Sequence, residues 1–497
     1  MRLAVLIISS SIVIFSLLSW HLLSSSKRLG SLSHKHEDDP LRPSNETCNL
    51  SSPSGDRFNT PPEVEAKGRL LANLTVHGRP TQAFRDNLWA DKKYVSSWGS
   101  AGFTNDFETY MILIYLGMIS DRIPILPAIS RTHHVLDSPD IWLGDVFDLA
   151  TLSDAINHPI LEWRDVKGTG SSEDEVMKDE VLSCWSPWWL TGPDGHAREC
   201  NAPVDLRLDI SYTLAPHWTR LNEGTGVSVW SLAALGFQEG FDKGVEEHSP
   251  TPSIFSGTIA EPDMHLLCFD YIYNSGFLWN KDSFDSGHSP VWRAVARHAR
   301  FSDEVQNVAS RYVKHALGIP PDGAIPPFIA VHNRRTDFAE WCHGPEALDI
   351  SKCLPSLDAF AVRVQETQVE LRRRAKRPGS NEGEAALDPG SEFNHVLITS
   401  DEPMWLTNEN GKRQRNPYWE QIDTLGWRGI DHDAQGTVEV YGKYFPMVID
   451  QAIHAMAVGF VGTDSSTISD MAARRVETWN HGISSSVKWG YEGADAH

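Results

Sequence analysis

Three apolar segments in the C-terminal half of the chain each end in a group of polar side chains. Each segment is short and largely apolar, and the first has a bias toward β-branched residues, which is typical of a buried strand. In open parallel α/β sheets, ligands bind beside the carboxyl ends of the strands, so we expect the three ends to converge on one pocket. These ends are Arg334-Arg335 after residues 328–333, Ser400-Asp401 after 395–399, and Thr463 to Thr467 after 459–462.

The residue types at these ends favour a diphosphate ligand. Adjacent guanidiniums match phosphate oxygens bidentately, and a helix predicted at 468–479 would present its first N–H groups to the same anion. Asp401 adds a carboxylate that can accept from N–H groups of a base. The alternative left open by this segment alone is that Arg334 and Arg335 bridge to local carboxylates.

A second α/β unit is predicted around residues 98–127. A glycine-containing turn at 98–106 leads into an apolar helical run at 107–117 and then a short strand at 122–127. A helix that begins at such a turn is a ready anion site. Strand-like stretches are also predicted at 141–149 and 204–212, and helical patterns at 289–317 and 357–371. Prolines between 320 and 327 predict a domain boundary there.

The charge of the chain limits its partners. Its 497 residues carry 44 Lys and Arg against 66 Asp and Glu, a formal net charge of −22. Such a chain repels polyanions, so we expect no nucleic-acid partner, whereas a small anion needs only a local positive pocket. The 18 tryptophans suggest a carbohydrate ligand, because exposed indoles stack on sugar faces.

The N-terminus predicts a secretory membrane protein. A two-residue tail (1–2) precedes residues 3–23, which are uncharged and long enough to span a bilayer, and a polar stem follows at 24–62. Sequons at Asn45, Asn49 and Asn73 matter only in a secretory lumen. We expect a single-pass type II anchor in the Golgi or endoplasmic reticulum membrane; the alternative is secretion after signal cleavage.

Six cysteines fit that compartment. Cys184 and Cys200 flank one loop and Cys342 and Cys353 flank a shorter one, which predicts two local disulfides. Cys48 and Cys268 are left without an assigned partner. No Cys-x-x-Cys occurs, so a structural zinc site is not expected.

The polar groups resemble the sequence boxes of GDP-fucose-dependent fucosyltransferases. The stretch 332–337 is similar to the His-x-Arg-Arg-x-Asp box shared by the α1,6 enzymes and the protein O-fucosyltransferases. The turn at 101–105 resembles the Gly-Gly-Phe-Asn-Asn turn of the O-fucosyltransferases, which are the closer group. Stretches 399–401 and 462–467 resemble the later boxes in the same order, so the resemblance runs from about 98 to 489.

The resemblance implies an α/β, GT-B-like architecture with two Rossmann-like domains that face each other across a cleft. The acceptor-side domain would be 63–325 and the nucleotide-sugar-binding domain 326–497. The implied reaction is inverting, metal-free transfer of fucose from GDP-fucose to a hydroxyl of a protein or glycan, without a cofactor. The resemblance implies that Arg334 clamps the pyrophosphate, with Arg335 as second contact, and that His332 and Asp337 shape the pocket. It implies guanine recognition by Asp401, donor binding by Asp464, and phosphate contacts by Ser465, Ser466 and Thr467. At Gly102 and Asn105 the chain would approach the donor closely.

Departures from the family pattern leave the general base open. Asn333 replaces an aliphatic residue, Thr104 replaces the first Asn of the turn, and Ala101 stands where some O-fucosyltransferases have a glutamate base. Inverting transfer needs the acceptor hydroxyl deprotonated as it attacks. Asp106 and Glu108 are the nearby candidates, although each could equally be a first-turn acid that stabilises the helix.

Two other functions stay open at this point. One is a luminal glycan- or nucleotide-binding protein of the same fold without turnover. The other is a metal-dependent glycosyltransferase that binds its cation through Asp431 and Asp433. The sequence does not specify the acceptor.

Overall fold

The structure is a computed structural model that describes residues 75–131, 139–169, 179–221, 226–277, 289–342, 350–376 and 390–495, all of which fall in one compact unit. The predicted tail, anchor and stem and the three sequons lie outside these residues, and the predicted domain boundaries stay a prediction. Among the helices described, none is both long and apolar enough to cross a membrane.

The N-terminal half contains a six-stranded parallel sheet. Its strands, with one additional short pair, are β1 (Tyr94–Ser97), β2 (Ile123–Leu126), β3 (Leu161–Glu162), β4 (Glu180–Ser186), β5 (Leu208–Leu214), β6 (Val227–Ser228), β7 (Leu266–Phe269) and β8 (Ser275–Gly276). The sheet order is β3-β2-β1-β7-β4-β5, while β6 pairs with β8. The non-sequential order means that helices cross over between strands, as in other parallel α/β sheets.

The helices of this half are α1 (Phe103–Ser120), α2 (Leu143–Val146), α3 (Leu149–Ile156), α4 (Trp163–Val166), α5 (Pro187–Thr191), α6 (Asn201–Asp205), α7 (Val229–Ala234), α8 (Gln238–Glu247), α9 (Pro290–Ala294) and α10 (Asp303–Leu317). The predicted strand at 141–149 is wrong, since this stretch forms α2. There the Asp145 carboxylate accepts from Trp142 N–H at 3.0 Å and closes a helical turn. The helical pattern at 289–317 is confirmed, although a 3₁₀ turn at Ala296–His298 divides it.

The C-terminal half contains a five-stranded parallel sheet with β9 at its centre. The strands are β9 (Phe328–Asn333), β10 (His395–Ser400), β11 (Trp405–Thr407), β12 (Arg413–Arg415), β13 (Arg428–Gly429), β14 (Gly459–Thr463) and β15 (Ile483–Val487). The helices are α11 (Thr336–Trp341), α12 (Ile350–Cys353), α13 (Leu357–Ala375), α14 (Pro417–Thr424), α15 (Thr437–Tyr441), α16 (Phe445–Met456) and α17 (Thr467–Trp479). The sheet order is β13-β10-β9-β14-β15, and β11 and β12 form a separate antiparallel pair. The part of the chain that the structure describes is therefore mixed α/β, and its two larger sheets are parallel.

One hydrophobic cluster contains residues of both halves, including Phe269 of β7 and Phe460 of β14. Helix α10 packs against α16, and α1 packs against α17. Nearly every residue of α1 is buried, which explains why its sequence is apolar on all sides. The two sheets are thus joined by a continuous core.

The cysteine pairing differs in part from the sequence prediction. Cys342–Cys353 is confirmed, with 5.8 Å between the Cα atoms. Cys184, however, is bonded to Cys268 and not to Cys200. Because β4 and β7 are neighbours in the sheet, they bring the two Cα atoms within 4.4 Å despite a separation of 84 residues. Cys200 is a free thiol, and burial raises its pKa.

Candidate functional site

The three polar strand ends lie side by side at one edge of the C-terminal sheet. Strand β9 pairs in parallel with β10 on one side and with β14 on the other. Asn333 is in register with Ser400, and His332 is in register with Gly462, so the chain leaves all three strands at the same edge. The predicted convergence of the strand ends is confirmed, whereas the ligand that binds there stays a prediction.

Arg334 is the first residue after β9, and its guanidinium is held from one side. Its backbone N–H donates to Thr463 Oγ1 at 3.0 Å, its Nε donates to Asp337 Oδ1 at 2.9 Å, and its Nη2 is ion-paired with the same carboxylate. The guanidinium lies 4.8 Å from the centre of the Phe338 ring. Its Nη1 has no partner among the described residues, and 28% of the side chain is exposed. A guanidinium fixed along one edge and open along the other is suited to phosphate oxygens.

Arg335 has a different environment. Its Nε lies 3.3 Å from Glu402 Oε1, and its guanidinium lies over the Tyr418 ring, 4.7 Å from the centroid. Its Nη1 donates to the Pro355 carbonyl at 3.5 Å. Both arginines thus bridge to local carboxylates, Arg334 to Asp337 and Arg335 to Glu402, as the alternative left open by the sequence predicts; Arg335 is in addition held by Tyr418 and the Pro355 carbonyl. Arg334 is therefore the better placed of the two arginines to meet an anion.

Asp401, which follows β10, binds the segment that follows β9. Its carboxylate accepts from the N–H groups of Arg335 at 2.8 Å and Thr336 at 2.9 Å, and from Thr336 Oγ1 at 2.5 Å. Asp401 is exposed, and two carboxylate oxygens offer about four acceptor positions, so it can still accept from a ligand. Its observed contacts hold the arginine-bearing turn, and its predicted recognition of guanine is not tested by them.

The turn after β14 presents donors at the start of α17. Ser466 is the N-cap residue of this 13-residue helix, and its buried Oγ has no hydrogen-bond partner among the described residues. Ser465 adopts the left-handed backbone region with φ of 61°. The first N–H groups of a helix carry partial positive charge and bind anions. Ser465 is exposed and Thr467 half-buried, so their hydroxyls are accessible at the start of α17, whereas the Ser466 hydroxyl is buried beneath them.

Asp464 stabilises this turn. Its carboxylate accepts from Ser465 Oγ at 3.2 Å and Ser486 Oγ at 3.1 Å, and its carbonyl accepts from Trp489 Nε1 at 3.0 Å. A carboxylate in this position repels phosphate, so these contacts favour a positioning role for Asp464 in the predicted donor site.

His332 lies beneath the site and is buried. Its Nδ1 is 2.9 Å from Ser469 Oγ on α17, and its ring centre is 5.5 Å from that of His454. Burial, with a smaller contribution from the charge of Arg334, lowers the pKa of His332 to about 4. A neutral imidazole therefore joins β9 to α17 and adds no positive charge that would compete with Arg334.

The glycine-containing turn before α1 is held by Asp106. This buried carboxylate accepts from the N–H groups of Ser100 at 3.0 Å, Ala101 at 3.2 Å and Ser130 at 2.8 Å. Burial raises its pKa to about 6, against the opposing effect of these hydrogen bonds. A Cβ at Gly99 would lie 2.5 Å from Asp106 Oδ2, so the turn needs a glycine there. Asp106 has a structural role here, and its burial does not favour it as a general base.

The other predicted residues of this turn also lie at the start of α1. Gly102 is the N-cap residue with φ of 85°, a conformation that favours glycine. Asn105 Oδ1 is buried without a partner among the described residues, and Glu108 is 3% exposed.

Hydrogen bonds through α16 join this turn to the C-terminal half. Gln451 Nε2 donates to Thr104 Oγ1 at 3.3 Å, and Arg475 Nη1 of α17 donates to Gln451 Oε1 at 3.1 Å. Tyr444 donates to the Ser130 carbonyl at 2.6 Å.

Asp431 and Asp433, which would bind the cation of a metal-dependent glycosyltransferase, accept hydrogen bonds from different residues. Asp431 Oδ2 accepts from Trp405 Nε1 at 2.8 Å, whereas Asp433 Oδ2 accepts from Arg413 Nη2 at 2.9 Å. The intervening His432 lies 2.9 Å from Asp450. This arrangement does not favour a shared cation at Asp431 and Asp433.

Several contacts that shape the site were not predicted from the sequence. Thr463 Oγ1 fixes the Arg334 backbone, and Ser469 contacts His332. Tyr418 stacks on Arg335 and accepts from Asn333 Nδ2 at 2.7 Å. Thr463 belongs to a predicted strand end and Ser469 to the first turn of the helix predicted after it, so their positions in the sequence could have identified these contacts. Tyr418 has no such signal, because only the folded chain brings α14 to this edge.

Comparison with known proteins gives matches among solved structures only. No protein-family model matches the chain, and no curated protein matches it. A crystal structure of POFUT1 in complex with GDP-fucose is 14% identical, covers 81% of this chain and 98% of its own, and has a TM-score of 0.46. The fucosyltransferase NodZ from Bradyrhizobium is 10% identical, covers 77% of this chain and 93% of its own, and has a TM-score of 0.32. We assign no family to the chain on this similarity.

Proposed function

We propose that the chain is a glycosyltransferase that transfers fucose from GDP-fucose, with inversion and without a metal, to a hydroxyl of a protein or glycan. The observation that carries the proposal is the guanidinium of Arg334. Its Nε and Nη2 are bound to Asp337, its Nη1 has no partner among the described residues, and its backbone N–H donates to Thr463, four residues before α17 begins. The resemblance of residues 332–337 and 462–467 to fucosyltransferase boxes selects GDP-fucose among sugar diphosphates.

Arg334 would act on the leaving group. As the bond between fucose C1 and the phosphate oxygen breaks, negative charge develops on GDP, and fixed donors lower the barrier by stabilising that charge. The Nη1 edge of Arg334, the Ser466 hydroxyl and the first N–H groups of α17 are three such donors. With a guanidinium in this role, the reaction needs no divalent cation on the diphosphate.

The proposal assigns no general base. Asp106 accepts three backbone N–H groups and is buried, and Glu108 is also buried in α1. This burial of both carboxylates favours the second candidate function, a luminal protein that binds a nucleotide or glycan without turnover.

Release of GDP from GDP-fucose distinguishes the two functions. Full-length protein would be incubated with GDP-fucose and a panel of glycan and protein acceptors, with and without excess EDTA. The transferase account predicts acceptor-dependent GDP release that persists in EDTA and is lost in Arg334→Ala. Arg373→Ala is the matched control, because Arg373 also pairs with a carboxylate three residues away, Glu370, but lies on the exposed face of α13. GDP binding without release for any acceptor would favour the non-catalytic function.

We further propose that the chain is a type II membrane protein of the Golgi or endoplasmic reticulum with luminal N-glycans. The basis is the sequence of residues 3–23 and the sequons at Asn45, Asn49 and Asn73. Endoglycosidase treatment of protein from secretory cells should increase its electrophoretic mobility, and an unchanged band would contradict the luminal assignment.

A further inference from the structure

Two histidines and a glutamate lie close together on the surface of the N-terminal half, near β5, which is an edge strand of the six-stranded sheet. His217 begins a 3₁₀ turn shortly after β5, Glu247 is the last residue of α8, and His248 follows it. His217 Nδ1 lies 2.8 Å from Glu247 Oε1, and His248 Nε2 lies 3.4 Å from the same oxygen. One ligand atom from each residue lies within 4.8 Å of the other two.

The three ligand atoms lie close enough together for one metal ion to reach all of them after small side-chain shifts. With metal–ligand distances of about 2.0–2.1 Å, two ligands of a tetrahedral zinc ion lie roughly 3.3 Å apart. The His248 Nε2 atom is buried and makes no hydrogen bond among the described residues, although the Glu247 oxygen lies 3.4 Å away. The three side chains are 64%, 30% and 22% exposed for His217, Glu247 and His248, so an ion can reach them from solvent.

The fold places the end of α8 against the turn that carries His217. A Cβ at Gly244 would lie 3.3 Å from Pro216 Cγ and 3.0 Å from the Trp185 ring, so the helix approaches closely at this glycine. Glu247 follows Gly244 by one turn and therefore projects beside His217. The Glu247 carboxylate also accepts from the His217 backbone N–H at 2.7 Å, which fixes its orientation.

We propose that His217, Glu247 and His248 bind a zinc ion that joins the end of α8 to the turn after β5. Two imidazole nitrogens and one carboxylate oxygen form a ligand set that suits zinc, whereas magnesium and calcium prefer oxygen ligands throughout. With three protein ligands, water completes the tetrahedron. The proposal does not rest on the proposed transfer reaction, since its ligand residues are distinct from those around Arg334.

Zinc titration of the full-length protein tests the proposal. The protein would be purified without a polyhistidine tag, stripped with chelator and titrated calorimetrically at pH 7.5 with zinc chloride, and in parallel with magnesium chloride. The proposal predicts one site for zinc and none for magnesium, with affinity reduced more than about tenfold in His217→Ala and His248→Ala. Glu247→Gln, which keeps the side-chain shape, should also weaken binding, whereas His395→Ala on the exposed start of β10 should not.

A second readout separates specific binding from adsorption to other histidines. Zinc should raise the melting temperature of the wild-type protein, because a ligand that binds only the folded state stabilises it. The same zinc concentration should not raise it in His217→Ala. Absence of a zinc site, or equal affinity in wild-type and both histidine variants, would overturn the proposal and leave a hydrogen-bonded His217–Glu247 pair.

Discussion

Replacement of Arg334 by lysine separates the geometry of this side chain from its charge. Lysine keeps the positive charge but loses the planar fork that binds Asp337 through Nε and Nη2 and leaves Nη1 for phosphate. The Arg334–Asp337 pair is partly exposed, at 28% and 36%, so its loss should change the free energy of unfolding by at most about 1 kcal/mol. Loss of a charge-assisted hydrogen bond to the diphosphate should cost about 1.5–3 kcal/mol, or roughly 10- to 150-fold in donor turnover.

The assay therefore needs two measurements on the same preparation. Urea denaturation gives the free energy of unfolding, and acceptor-dependent release of GDP gives kcat/KM for GDP-fucose. We expect a large loss of kcat/KM with a small change in unfolding for Arg334→Lys, and little change in either for Arg373→Lys, the exposed control on α13. Near-normal turnover in Arg334→Lys would show that the reaction does not depend on the planar guanidinium of Arg334. An unfolding change of several kcal/mol would show that Arg334 is instead a structural residue.

Three further outcomes are expected. The free energy of unfolding should fall as the pH is lowered from about 6.5 to about 4, because His332 binds a proton in the unfolded chain in this range but not in the fold, where its imidazole is buried. The contribution of His332 is about 3 kcal/mol. Urea denaturation across this pH range should show that the contribution is absent in His332→Gln. In calorimetry, Asp401→Asn should weaken GDP binding by about 1.5–3 kcal/mol and reduce the preference for GDP over UDP. If binding of GDP and of UDP weakened equally, the role of Asp401 would be limited to its hydrogen bonds with the N–H groups of Arg335 and Thr336. Non-reducing peptide mapping should recover Cys184 linked to Cys268 and Cys342 linked to Cys353, and a Cys184–Cys200 peptide would contradict the strand pairing.

Local patterns in the sequence predicted much of the C-terminal half. The strands β9, β10 and β14 and the helix α17 each have a continuous apolar or periodic signature, so their positions follow from neighbouring residues alone. Convergence of their ends then follows from the general rule for parallel sheets. The contact of Asp401 with Arg335 and Thr336 depends on pairing between two strands, and no local signal encodes it.

The predictions of the Cys184–Cys200 disulfide and of a strand at 141–149 were wrong because contacts in the folded chain, and not the local sequence pattern, decide these structures. Cys200 is the nearer partner of Cys184 in sequence, but β4 and β7 place Cys268 closer in space. The apolar stretch 141–149 has strand-like composition, yet the Asp145 carboxylate closes it into a helical turn. Asp106 is a different case, since its candidate role as general base stays a prediction, but only the fold reveals that three backbone N–H groups surround it.

Binding of GDP to wild-type protein and to Arg334→Ala shows whether the carboxyl edge of β9, β10 and β14 holds the diphosphate of a nucleotide sugar. Isothermal titration with GDP should give one site in the wild type. We predict that the affinity falls by at least about tenfold in Arg334→Ala, falls less in Ser466→Ala, and is unchanged in Arg373→Ala. Equal affinity for GDP in the wild type and Arg334→Ala, with both proteins folded, would contradict diphosphate binding at this edge.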